Sequence, residues 1–149
     1  MTPPAIELTA GLDGAPPGRA LDLACGGGRH AVWLRDRGWA VTAVDLVAPD
    51  IDGITCIVAD LERDGFSIGT NSWDAIVCWL YWQENLLPAI AQGIRPGGIV
   101  AIAGKTNGRF ATSLRQFRRV LGEWTEISSG ENDSRVYLIA RRATRPRSA

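Results

Sequence analysis

Leu21-Asp22-Leu23-Ala24-Cys25-Gly26-Gly27-Gly28-Arg29-His30 is followed by an apolar helical run and then by Val41-Thr42-Ala43-Val44-Asp45. The order reads as strand, glycine turn, helix, strand, acid. A short apolar strand delivers the backbone to a turn without side chains, where a ligand can approach the main chain and meet the amino end of the next helix. A nucleotide-like ligand suits such a turn. Asp45 lies about 20 residues downstream, the separation at which a second strand brings a carboxylate to ribose hydroxyls in doubly wound folds.

Working outward, the pattern predicts a strand over 19–23, a helix over 28–37 stopped by Gly38, and strands over 40–45, 54–59 and 73–79. A helical stretch over 84–94 follows, then the turn Arg95-Pro96-Gly97-Gly98 and a strand over 99–104. Strands alternating with helices argue for a parallel sheet covered on both faces. The runs Ala75-Ile76-Val77-Cys78 and Ile99-Val100-Ala101-Ile102-Ala103 are apolar throughout, as strands buried on both faces should be. Only eight residues separate Asp45 from Ile54, with Pro49 and Gly53 among them, so the second helix is reduced to a turn. Residues 61–72 likewise offer a loop or a single helical turn in place of a third helix.

The last third changes character. Leu114, Phe117, Val120 and Leu121 share one helical face, opposite Arg115, Gln116, Arg118 and Arg119, which marks a surface helix. Two strand-like runs, 124–128 and 135–141, flank the polar turn 129–133 and fit an antiparallel closing pair. The first eighteen residues hold four of the eight prolines and read as an extended arm, apart from a short turn over 6–10. Residues 143–149 read as a mobile basic tail. The expected division is therefore an arm over 1–18, one domain over 19–142, and the tail.

Composition narrows the partners. The chain has 149 residues, 46% apolar and 21% charged, which suits one globular domain without a separate substrate domain. No apolar run reaches bilayer-spanning length, and Met1-Thr2-Pro3-Pro4 lacks signal-peptide features, so a cytoplasmic location is expected. With 16 basic and 16 acidic residues no global field marks a nucleic acid or a membrane. Cys25, Cys56 and Cys78 lack CxxC spacing and read as small core residues; no metal site is expected.

Two ligand classes compete for the glycine turn. Gly26-Gly27-Gly28-Arg29-His30-Ala31 satisfies G-x-G-x-x-[GA] literally, which keeps a dinucleotide-dependent oxidoreductase open. Asp22 argues against it, because a carboxylate beside the cavity repels a pyrophosphate and attracts an ammonium or sulfonium group. On these residues, with Ala59-Asp60-Leu61, Trp73-Asp74-Ala75-Ile76-Val77-Cys78, Arg95-Pro96-Gly97-Gly98 and the closing antiparallel pair, the chain resembles the class I S-adenosylmethionine-dependent methyltransferases, particularly the small bacterial ones. The resemblance covers 19–142. It implies an α/β, Rossmann-like, doubly wound, seven-stranded and mostly parallel sheet with an antiparallel last strand. It also implies that Asp22 and the backbone of Ala24, Cys25, Gly26 and Gly28 hold the methionine part, that Asp45 takes the ribose hydroxyls, and that Asp60 with the Leu61 amide reads the adenine. Leu46, Cys78 and Trp79 complete the implied cofactor set. The chain departs from the family pattern at Ala24, where glycine is commoner, in its missing second helix and in its short amino-terminal cap.

The expected activity is methyl transfer to a small-molecule acceptor by in-line displacement, for which alignment is the main demand and no acid or base is obligatory. Tyr81, Glu84, His30 and Lys105 are the candidates to take or orient a proton if the acceptor needs it. Each has a plainer reading: His30 as a packed, hydrogen-bonded histidine, Lys105 as a loop lysine, Trp79, Tyr81 and Trp82 as core or lid packing, Asp60 as a helix cap, and Asp74 as a water-exposed strand-edge acid. Arg115, Arg118 and Arg119 read as a solvated face rather than an RNA contact. A non-catalytic relative acting as a partner subunit also stays open, since an open substrate side invites a homodimer or second chain to complete it.

Overall fold

The computed structural model describes residues 2–144. Its centre is a seven-stranded sheet of β1 (Arg19–Leu23), β2 (Ala40–Asp45), β3 (Ile54–Val58), β4 (Trp73–Trp79), β5 (Ile94–Lys105), β6 (Thr125–Glu131) and β7 (Arg135–Arg141). The spatial order is β3-β2-β1-β4-β5-β7-β6. The first five are parallel neighbours, and β7 runs antiparallel to both β5 and β6. The chain reverses its direction of travel across the sheet between β1 and β4. A crevice opens at such a point above the strands' carboxyl ends.

Among the described residues four helices cover the two faces: α1 (Ile6–Leu12), α2 (Arg29–Asp36), α3 (Leu86–Gly93) and α4 (Leu114–Leu121). Leu8 and Leu12 of α1 and Ala31 and Leu34 of α2 pack with Val41, Ala43, Val77, Trp79, Ala101 and Ile139 on one face. Leu87 and Ile90 of α3 and Phe117 and Leu121 of α4 pack with Leu23, Ile76, Ile102 and Leu138 on the other. Alternation along β5 explains the split, since successive side chains point to opposite faces. Between β2 and β3 there is no helix, and between β3 and β4 only a 3-10 turn, Leu61–Arg63.

Several boundaries differ from the expectations, each for a local reason. The amino-terminal arm contains a true helix, α1, because Leu8 and Leu12 stand one turn apart and are both buried against the sheet. The turn at Arg95-Pro96-Gly97-Gly98 sits inside β5: Trp73 pairs with Ile94 and Ala75 with Ile99, so four residues bulge out between paired positions. Gly97 N–H donates to Arg142 O and Arg142 N–H to Gly98 O, both at 2.9 Å, which secures the bulge against the end of β7. The β6 strand runs on to Glu131 because Asn132 Oδ1 accepts from the Ser134 and Arg135 amides and closes a tighter turn than composition suggested. Asp74 is not a free edge acid. Its Oδ2 accepts from the Arg19 amide at 2.9 Å and pairs with Arg95 at 3.5 Å. The tail expected from Ala143 onward lies, from residue 145, outside the described residues. Among the described residues no helix is long and apolar enough to cross a membrane.

Candidate functional site

Three cavities adjoin one another above the carboxyl ends of β1, β2, β4 and β5. The first, about 690 Å³, is lined by Asp22, Ala24, Cys25, Gly26, Gly27, Arg29, His30, Trp79, Leu80 and Arg135, with Thr2 at its edge. The second, about 160 Å³, is lined by Ala24, Asp45, Leu46, Ala59, Asp60, Leu61, Glu62 and Tyr81. Ala24 belongs to both. The third, about 380 Å³, lies between Glu62, Leu80, Tyr81 and Trp82 and the loop after β5. Leu80 joins it to the first cavity, and Tyr81 and Glu62 join it to the second.

The turn after β1 is built for close approach. Ala24 at φ 54, Gly26 at φ 58 and Gly28 at φ 90 all lie in the left-handed region, which fits glycine without penalty but strains Ala24. Cys25 N–H donates to Val44 O at 3.1 Å and Gly28 N–H to Cys25 O at 3.0 Å, so the turn is tied to β2. Asp45 Oδ2 accepts the Gly26 amide at 2.9 Å, and Oδ1 faces the Val47 amide at 3.4 Å. The carboxylate thus orients the loop as well as facing the second cavity. Asp60 caps the 3-10 turn through Oδ1, which accepts the Glu62 amide at 3.0 Å.

Asp22 is the anomaly of the site. It is only 2% exposed, and among the described residues its Oδ2 has no hydrogen-bond partner. Burial pushes its carboxyl up to about 7; the Ala31 amide pulls the other way, Asp45 adds to the rise and Arg29 offsets part of it. An orphaned buried acid beside a cavity calls for a donor or a cation. An ammonium group meets that demand; a pyrophosphate aggravates it.

The candidate proton carriers fare differently. His30 is buried, its Nε2 accepts the Ala5 amide at 3.1 Å, and its ring meets Trp79 edge-on at 6.0 Å. Burial, with Arg29 adding to it, pushes its pKa down to about 4. The imidazole is engaged as a neutral acceptor that latches the start of α1. Arg29 extends the latch by donating to Pro3 O at 3.0 Å. The Tyr81 hydroxyl donates to Gln83 Oε1 at 2.9 Å, and burial, helped by Glu62, raises its pKa. Lys105 lines the third cavity, whereas exposed Glu84 lines none of the three. Cys78 packs in the core with Sγ on Tyr81 O at 3.4 Å, and neither it nor Gly28 lines these cavities.

Sequence reasoning missed Asn107, Arg109, Phe110 and Arg135, whereas Leu80 falls in the run after β4 that position alone points to. Leu80 holds φ 63 at the junction of the first and third cavities, a strained setting invisible in sequence. Arg109 and Phe110 stand in the loop after β5, and position at a strand's carboxyl end was a usable signal.

Comparisons with known proteins agree with this architecture. The profile of a family described as a methyltransferase domain matches residues 5–125. An uncharacterized methyltransferase of Mycobacterium bovis is 25% identical over 113 residues, covering 70% of this chain and 46% of the relative. The chain spans 18% and 46% of the lengths of the curated relatives it matches. The crystal structure of TehB from Haemophilus influenzae superposes with a TM-score of 0.81 at 15% identity, covering 95% of this chain and 63% of that one. An S-adenosylmethionine dependent methyltransferase from Mesorhizobium loti superposes with a TM-score of 0.71 at 18% identity, covering 91% and 96%. A sheet of order β3-β2-β1-β4-β5-β7-β6, a glycine turn after β1 and a profile match over most of its length place the chain in the methyltransferase-domain family, with the class I Rossmann-like fold.

Proposed function

We propose that this chain binds S-adenosylmethionine along the first two cavities and transfers its methyl group to a small-molecule acceptor entering through the third. The observation that carries the reading is the orphaned Asp22 oxygen beside a glycine turn, which fits the ammonium of an amino-acid nucleoside and opposes a dinucleotide. Gly26 and Gly27 leave the backbone open to the methionine part, Asp45 faces the ribose side, and Asp60 with Leu61 bounds the adenine side. When bound, the cofactor would supply an electrophilic methyl on a sulfonium, with a neutral thioether as the leaving group.

The chain's own contribution is placement. Leu80 lines both the first cavity and the third, so an acceptor beside Tyr81 and Trp82 meets the reactive end of the cofactor along one line. Tyr81, with a raised pKa and its proton on Gln83, orients rather than deprotonates.

Calorimetric titration with S-adenosylmethionine, S-adenosylhomocysteine and NAD tests the reading. Binding of the first two without NAD is the expected result. Tight NAD binding with no response to the other two would sink it.

A further inference from the structure

The third cavity carries a chemical signature of its own. Its apolar wall is aromatic: Tyr81, Trp82 and Phe110, with Trp82 backed by Phe117 at 5.4 Å between ring centroids. Its polar wall is cationic, with Lys105 and Arg109 against the single acid Glu62. Neither cation has a carboxylate within ion-pair distance among the described residues; Arg109 rests its guanidinium over the Phe110 ring at 5.3 Å.

Strand register sharpens the charge imbalance. Lys105 lies directly opposite Arg135 across the β5–β7 pair, and Arg135 lines the adjoining cavity. Like charges in directly opposed positions oppose pairing. The loop that carries Arg109 and Phe110 is not a loose excursion. Its ends close through Thr112 N–H to Lys105 O at 2.9 Å, Thr106 N–H bonds Ser134 O at 3.2 Å, and Asn107 Nδ2 donates to Asp133 O at 2.8 Å. A stitched loop therefore holds an aromatic ring, 59% exposed, at the rim of a cavity. Phe110 thereby carries the aromatic wall of Tyr81 and Trp82 out to the rim.

We infer that the acceptor is a small planar molecule bearing an anionic group, its ring against Trp82 and Phe110 and its anion on Lys105 and Arg109. That this cavity receives the acceptor rests on the methyl-transfer reading above. Rings prefer offset or edge contacts with aromatic walls, and a carboxylate or phosphate takes charge-assisted hydrogen bonds from both cations.

The test reads binding by the full chain. Calorimetry follows titration with benzoate, indole-3-carboxylate and phenyl phosphate beside the neutral benzamide, indole-3-carboxamide and phenol, with and without saturating S-adenosylhomocysteine. At least one anion binds roughly tenfold more tightly than its neutral counterpart. Lys105→Met and Arg109→Gln each weaken that anion by about tenfold and leave S-adenosylhomocysteine affinity unchanged, and Arg115→Gln on the outer face of α4 alters neither. The carboxylate and phosphate arms identify which anion the site takes. Equal affinity for charged and neutral rings, binding of no anion, or indifference to both cavity substitutions overturns the inference. Should S-adenosylhomocysteine itself fail to bind, the cofactor reading falls while the titrations without it still decide this one.

Discussion

On the proposed pairing of Asp22 with the cofactor's ammonium, cofactor affinity becomes a function of pH. Its carboxyl, held near 7 by burial, is protonated in the free protein below that pH, and an ammonium group needs it ionised. Binding below pH 7 must first expel the proton. The apparent dissociation constant then rises about tenfold for each pH unit, so S-adenosylhomocysteine binds roughly 100-fold more weakly at pH 5 than on the plateau above 7, a difference of about 2.7 kcal/mol. Isothermal titration between pH 5 and 7.5, in buffers of matched ionic strength, measures the slope. Asp22→Asn removes the titrating group, lowering the plateau affinity and flattening the profile. 5′-Methylthioadenosine, which has the nucleoside but no amino-acid part, shows no slope with either protein. A flat profile in the wild type, or a slope that survives in Asp22→Asn, refutes the pairing of Asp22 with the ammonium.

Three further outcomes follow from packing and linkage. Gly28→Ala forces a side chain into φ 90 and sets a Cβ 2.5 Å from Ile51 Cδ1, costing about 1–2 kcal/mol in urea unfolding. Gly27→Ala, with open space around its Cβ, is close to neutral; equal costs for the two would discredit the turn geometry. Leu8→Ala empties a fully buried position on α1 and destabilises by about 2–5 kcal/mol, whereas a loss below about 1 kcal/mol would mean that the helix is not docked. His30, depressed to about 4, refuses a proton that the unfolded chain accepts, so its share of stability is lost as pH falls from 6.5 towards 4. Asp22, raised to about 7, keeps a proton that the unfolded chain releases, which opposes that slope over the same window. His30→Gln therefore unmasks Asp22, and thermal stability declines as pH rises from 4 to 7; a profile parallel to the wild type would contradict both assignments.

The sheet was legible because its signals are local. Apolar runs in β4 and β5, the glycine turn, and the acid ending β2 each fall within a few residues, and burial on both faces leaves little alternative. The amino-terminal helix was hidden because seven residues containing Thr9 and Gly11 carry little propensity of their own; Leu8 and Leu12 become helical by docking. The β5 bulge was hidden because Pro-Gly-Gly reads as an end of structure, while its hydrogen bonds come from Arg142, some 45 residues away in the chain. Among the cavity-lining residues, Asp22, Asp45 and Asp60 could be picked out by position at or just beyond the carboxyl ends of β1, β2 and β3. What lay beyond reach was tertiary: that Asp45 is partly spent on the Gly26 amide, that His30 serves Ala5, and that Leu80 is strained.

The latch at His30 and Arg29 and the antiparallel course of β7 together dictate how this protein can be handled. Thr2 borders the first cavity, whereas Arg142 is bonded to Gly98 at the opposite end of the sheet, where the parallel strands begin. An affinity tag, fluorophore or surface tether placed ahead of Pro3 would stand at the mouth of the first cavity and pull on the segment that His30 and Arg29 fasten. The carboxyl side offers another anchor, because Thr144 lies beside Gly97 at the far rim, away from the cleft. Immobilised binding assays should therefore capture the protein from its carboxyl side.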